Sequence, residues 1–67
     1  MSDMLHRFGE FIVLVTNARP GVEFRTADVA TRSKISKRTA QRWLGEAEAL
    51  YLLARHGHNT STTYRRL

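Results

Sequence analysis

A chain of 67 residues that contains no cysteine has to hold itself together with one hydrophobic core, since no disulfide and no thiolate metal site can staple it. Residues 1–67 are therefore expected to form a single domain. The apolar fraction of 42% is ordinary for a folded protein and too high for a disordered tail. A chain this short still buries only ~60% of its unfolded surface, so its stability should be marginal. The longest purely apolar run is the five residues Phe11 to Val15, far short of the ~20 that a membrane span needs. Neither a membrane segment nor an export signal is expected, and the lack of cysteine suits a reducing cytoplasm.

The formal charge is +5, and it is unevenly spread. Residues 1–24 set Arg7 and Arg19 against Asp3, Glu10 and Glu23, while residues 46–67 set Arg55, Arg65 and Arg66 against Glu46 and Glu48. Between them Arg25, Arg32, Lys34, Lys37, Arg38 and Arg42 face Asp28 alone. The excess thus falls in the middle third of the chain. Most charge runs are solvated faces, but cations gathered on one short segment point to a polyanion, and duplex nucleic acid is the first such partner to consider.

The only proline, in Arg19-Pro20-Gly21, marks a turn between an N-terminal element and the rest. Before it, Leu5, Phe8, Ile12 and Val15 recur at three- and four-residue steps, predicting a helix from residue 3 to about 17 with Ser2 or Asp3 as N-cap. Phe11 and Leu14 fall off that stripe, either to pack under the C-terminal hairpin or to meet a second copy of the chain. After the turn, Val22-Glu23-Phe24 reads as a short strand, and Thr26 is the expected N-cap of a brief helix that ends near Arg32 or Ser33. Ser36 is the next N-cap, opening a helix whose inner face carries Ala40, Trp43, Leu44 and Ala47. From Leu50 the pattern changes. Residues 51–55 and 62–65 are rich in strand-forming types around the polar loop His56-Gly57-His58-Asn59-Thr60-Ser61, which predicts a β-hairpin.

Two short helices joined by a tight turn, the second crowded with basic and amide side chains, make the unit that lays a recognition helix in the major groove. In the run from Val29 to Leu44, small Ala30 permits a close helix crossing, Ile35, Ala40 and Trp43 fill the space between, and Ser36 caps the second helix. This run resembles the helix-turn-helix pattern of transcription regulators. With the hairpin after it, the chain from Phe24 to Leu67 resembles the winged helix-turn-helix family, similar in order to IclR-like and MarR-like DNA-binding domains. The resemblance implies an α+β fold: a three-helix winged helix-turn-helix with a short strand and a C-terminal β-hairpin wing. Two positions depart from the pattern, Lys34 where many members place a left-handed glycine, and Ala49 where a glycine commonly precedes the strand.

The helical wheel turns Lys37, Arg38, Gln41 and Arg42 away from the inner face. Arg38, Gln41 and Arg42 are the candidates for base edges, since arginine can be bidentate to guanine and glutamine to adenine. Lys34, Ser36, Lys37 and Thr39, at the turn and the helix start, suit backbone phosphates. The resemblance places the wing residues Arg55, His56, His58, Asn59 and Arg65 along the phosphates or in the minor groove. Trp43 and Tyr51 are expected in the core and at its edge, and Tyr64 is expected to be exposed on the hairpin.

No catalytic set is legible: the sequence has no glycine-rich phosphate loop, no paired carboxylates on an apolar face and no thiol nucleophile. Two histidines around Gly57 fall short of a four-ligand metal site, so no cofactor and no metal are expected. The sequence thus predicts sequence-specific binding of double-stranded DNA by a small bacterial or phage transcriptional regulator that is not an enzyme. Its recognition helix spans about 37–48, and the protein is expected to be cytoplasmic, associated with the nucleoid and homodimeric through the first helix. With no effector domain evident, regulation would come from concentration or a protein partner. The alternatives are a winged-helix protein-interaction module, such as a phage inhibitor of a host complex, and an excisionase-like architectural protein that bends DNA. RNA ranks last, because a major-groove helix suits B-form and not A-form duplexes.

Overall fold

The computed structural model describes residues 3–57 and 62–67. In chain order its elements are α1 (Asp3–Asn17), β1 (Glu23–Phe24), α2 (Thr26–Ser33), α3 (Lys37–Ala49), β2 (Leu53–His56) and β3 (Thr63–Arg66). The strands form one antiparallel sheet in the order β1-β3-β2, giving a small α+β fold of three helices and a three-stranded sheet. Among the described residues no helix is long and apolar enough to cross a membrane.

Aromatic stacking joins α1 to α3. Trp43 meets Phe8 edge-on with ring centroids 5.4 Å apart and Phe11 at 5.7 Å, and these large rings supply much of the apolar area that so short a chain can bury. Phe11 is 1% exposed and Leu44 is fully buried. The inner stripe of α1 is therefore Phe8, Phe11 and Val15 with Ile12 and Leu14 partly buried beside it, so the helix is rotated towards Phe11 and, of the stripe that the spacing predicts, Leu5 falls outside. Leu5 is instead 64% exposed and Val13 56% exposed. The reason is chemical: Phe11 offers the largest apolar surface in the middle of the helix, and Trp43 stands opposite it to receive that surface.

Ala30 and Ala40 are buried where α2 meets α3, so the close crossing expected from small side chains is present. Ser36 caps α3 as its sequence position predicts, its Oγ accepting a 3.1 Å hydrogen bond from the Thr39 N–H. The cap expected of Thr26 is absent: α2 already includes Thr26, and Arg25 holds the cap position without a side-chain hydrogen bond. An arginine side chain has no acceptor with which to cap. Arg25 leaves β1 in an extended conformation, and its carbonyl accepts the first helical bond from Val29 N–H at 3.0 Å.

Both helices that flank the turns end in left-handed residues that are not glycine. Lys34 closes α2 at φ 56°, with Ile35 N–H returning to the Ala30 carbonyl at 3.0 Å. Tyr51 follows α3 at φ 62°, with Leu52 N–H returning to the Ala47 carbonyl at 3.0 Å. This six-to-one closure satisfies helix-end carbonyls. It also turns the side chain of the left-handed residue away from the body, so Tyr51 is 84% exposed and not at the core edge. Tyr64 departs from expectation in the other direction. It lies opposite Phe24 on β1 and opposite Arg55 on β2, buried on the inner face of the sheet.

The sheet is tied back to α1 by Arg66. Its Nε donates to the Val15 carbonyl at 2.9 Å, and its Nη1 donates to the carbonyls of Leu52 at 3.3 Å and Leu67 at 3.1 Å. The last turn of α1 contains no basic residue of its own; Arg66, fifty-one residues away from Val15, provides the cation that complements that end of the helix. Next to it, Gly21 N–H donates to the Arg66 carbonyl and Arg66 N–H to the Val22 carbonyl, both at 2.8 Å. Gly21 holds φ 91°, a backbone angle that other residues rarely adopt, so the turn after Pro20 can reach β3.

Candidate nucleic-acid interface

The helix α3 buries Ala40, Trp43, Leu44 and Ala47, and this fixes what its other positions do. At 100° per residue, Arg38 and Arg42 stand on the side opposite the buried face, with Gly45 and Ala49 continuing their line. Lys37, Gln41 and Glu48 fall on the flank beside the sheet, and Thr39 and Glu46 on the flank beside α1. Lys37, Arg38, Gln41 and Arg42 are all exposed. The helix thus presents two arginines to the front and a lysine and a glutamine to one side.

That side is not flat. A groove of about 870 Å³ runs between α3, the start of α2 and the sheet, and Arg25, Lys37, Gln41, Arg55 and Glu48 are among its lining residues. Three cations, from the corner between β1 and α2, from α3 and from β2, therefore border one concavity. Arg25 was not apparent from sequence as a candidate, because it belongs neither to the turn nor to α3. Its signal was only its place in the basic segment, and the strand-to-helix corner at Phe24-Arg25-Thr26 brings it across from Lys37.

The hairpin candidates separate. Arg55 shares its pairing position and its sheet face with Tyr64, and it lines the groove with Lys37. Arg65 lies opposite Glu23 on β1 and makes a 3.0 Å ion pair with it. Alternation along the strands puts Arg65 on the face turned away from α3, and His56, opposite Thr63, shares that outer face. His58 and Asn59 lie outside the described residues.

The other phosphate candidates sit together at the start of α3. Lys34 is exposed at the turn, and its carbonyl accepts a 2.9 Å hydrogen bond from Arg7 Nη1, which fastens α1 to that turn. Ser36 and Thr39 are engaged with each other, Ser36 Oγ donating to Thr39 Oγ1 at 3.0 Å while accepting from the Thr39 backbone N–H. Both hydroxyls are thus already part of the helix cap.

Three acids, Asp28, Glu46 and Glu48, lie on α2 and α3, and Glu48 lines the groove itself, but among the described residues none of them makes an ion pair; the other three are engaged elsewhere. Asp3 pairs with Arg7 at 2.7 Å, and Glu23 pairs with Arg65; Glu10 stands 3.6 Å from His6 on the exposed face of α1. Among the described residues no ion pair involves Arg25, Arg32, Lys34, Lys37, Arg38, Arg42 or Arg55. Arg32 lines grooves beside α1 and β1, while the other six lie at the entry to α2, in the turn after it, on α3 and on β2, and concentrate the positive field on that side of the molecule.

Lys34 holds its cation in a conformation that glycine would adopt without strain. Lys34→Gly is expected to raise stability by about 0.5–1 kcal/mol, the left-handed cost relieved less the added freedom of the unfolded chain. A higher urea midpoint is the expected result, and an unchanged or lower one would show that the left-handed backbone at Lys34 stores no relievable strain.

No protein-family model, curated protein or solved structure matches the chain.

Proposed function

We propose that the protein is a small winged helix-turn-helix DNA-binding regulator, with α3 as the recognition helix in the major groove and the β2–β3 hairpin as a wing beside it. The observation that carries this reading is the set of unpaired cations at the two ends of α2, on α3 and on β2, which flank a helix whose front is occupied by Arg38 and Arg42. A cationic helix standing clear of its own core can approach base edges, and cations at its borders can hold the two phosphate backbones.

The side chains then divide by position. Arg38 and Arg42, at the front of α3, and Gln41, on its flank, are the base readers. Lys34, Lys37, Arg25 and Arg55 border the helix and hold phosphates. Arg65 contributes little, because it is paired with Glu23 on the outer face of the sheet. Gly45 suits a close approach: nothing lies within 4 Å of where its Cβ would be, so no internal packing requires a glycine there.

Selection of bound fragments from a random duplex pool tests the reading. Enrichment of a defined sequence is expected, and a pool that stays random would overturn sequence-specific recognition. Against the selected site, Arg38→Ala or Arg42→Ala should cost about 1–3 kcal/mol in preference over random duplex. Lys37→Ala should weaken both equally. Were all of these variants to lose the same amount on every duplex, Arg38 and Arg42 would be phosphate contacts.

A further inference from the structure

We infer that Glu46 is a further base reader, accepting a hydrogen bond from the amino group of a cytosine, so that the DNA site carries a C·G pair one or two steps from the base pair read by Arg42. This role rests on the duplex binding proposed above and names part of the sequence that α3 reads.

At 100° per residue Glu46 stands about 60° from the midline of Arg38 and Arg42 on the α1 flank, while Gln41 stands about 80° away on the other flank. Glu46 is thus nearer the front of α3 than a residue already placed among the base readers, and it is exposed. Gly45 and Ala49 continue the front with little or no side chain, and a Cβ on Gly45 would meet nothing within 4 Å. A duplex can therefore come closer to the second half of α3 than to the first, where two arginines stand. Close approach is what a side chain as short as glutamate needs to reach a base edge.

Nothing inside the protein accounts for a carboxylate at this position. The last turn of α3 contains no basic residue, and an acid near the C-terminal end of a helix is set against the helix dipole. Glu46 and Arg42 are four residues apart and line one concavity with Thr39, yet among the described residues no ion pair includes either of them. Beside phosphates a free carboxylate also weakens binding. A hydrogen bond that one base alone offers would offset both effects.

Chemistry selects the base. In the major groove guanine shows two acceptors, adenine an acceptor beside its amino group, and thymine an acceptor and a methyl group; cytosine alone shows a donor with no acceptor beside it. An ionised carboxylate only accepts, so each of the other three bases sets a lone pair against it. Four residues of helix rise about 6 Å, and successive base pairs are about 3.4 Å apart, which puts the cytosine one or two steps from the base pair that Arg42 meets.

Selection from a random duplex pool, repeated with variants, separates a base reader from a merely solvated acid. The wild-type pool is expected to hold a C·G pair within two steps of the position whose preference is lost in Arg42→Ala. Glu46→Ala should lose that C·G pair, with about ten-fold less discrimination there, and keep the rest of the site. The same variant should bind random duplex about three-fold more tightly, because a negative charge has been taken from beside the phosphates. Glu46→Gln should exchange the pair for A·T, since an amide can be bidentate to adenine. Glu48→Ala removes the same charge further from the front, and it should tighten all duplexes alike without changing any position of the site. Both substitutions at position 46 put a good helix former in place of an exposed side chain, so the urea midpoint should hold. A Glu46→Ala pool with every position as in the wild type, or an enriched wild-type pool with no such C·G pair, would overturn the role of Glu46 and leave the recognition helix standing. A wild-type pool that stays random would overturn the proposed function, and this role with it.

Discussion

Arg66→Met is expected to lower unfolding stability by about 3 kcal/mol and leave much of the chain unfolded at room temperature. A folded chain of 67 residues without disulfides has about 3–5 kcal/mol in hand. The Arg66 guanidinium donates to the carbonyls of Val15, Leu52 and Leu67, and hydrogen bonds from a charged donor contribute about 1.5–3 kcal/mol each when well buried. Arg66 is only half-buried, so the total is discounted to the value given. Methionine keeps the apolar stem but no donor, leaving the end of α1 without its cation and the Val15 carbonyl without this partner. Arg66→Lys should rescue little, because one ammonium cannot reproduce a planar fork that reaches the carbonyls of Val15, Thr16, Leu52 and Leu67. Urea unfolding followed by Trp43 fluorescence measures the loss. Arg65→Met is the internal control, since removal of its exposed pair with Glu23 should cost less than about 1 kcal/mol. Equal losses at positions 65 and 66 would show that the guanidinium of Arg66 is not what joins helix to sheet.

Affinity for random duplex is expected to fall about a thousand-fold between 50 and 200 mM salt. Six unpaired cations, Arg25, Lys34, Lys37, Arg38, Arg42 and Arg55, border or occupy the front of α3. With roughly six phosphates neutralised, the counterions released give a slope of about −5 in log affinity against log salt. Fluorescence anisotropy across a salt series reads the slope directly. Lys34→Gly and Lys37→Ala should each bring it about one unit closer to zero. Arg65→Met, by contrast, should leave it unchanged, because that arginine is paired on the far face of the sheet. A flat salt response would contradict binding through this surface, and a slope that fell with Arg65→Met would place the outer face of the sheet on the DNA.

Much of the architecture was legible from local rules. The stop at Arg19-Pro20-Gly21, the Ser36 cap and the inner face of α3 depend on short-range chemistry, and each stands where the sequence puts it. The strands were legible as a hairpin, though β2 begins at Leu53 and not Tyr51, because the left-handed turn after α3 uses two further residues. The rotation of α1 was not legible. Its run Phe11-Ile12-Val13-Leu14-Val15 supplies apolar residues to several faces, and only the position of Trp43 decides which face is inside.

The candidate site divides in the same way. Helical periodicity alone sets which residues of α3 face outward, because once Ala40, Trp43, Leu44 and Ala47 turn in, Arg38 and Arg42 have to turn out. Strand alternation and pairing decide the hairpin, and those depend on register. Arg55 joins the groove beside Lys37 because it stands opposite Tyr64, while Arg65 is drawn to Glu23 across β1. The sequence by itself determined the helices, the turns and the cationic front of α3, since neighbours a few residues apart settle them. Only the tertiary structure decided which charges are unpaired, because an ion pair such as Glu23 with Arg65, or an arginine holding a helix end fifty-one residues away, forms between parts of the chain that local spacing cannot relate.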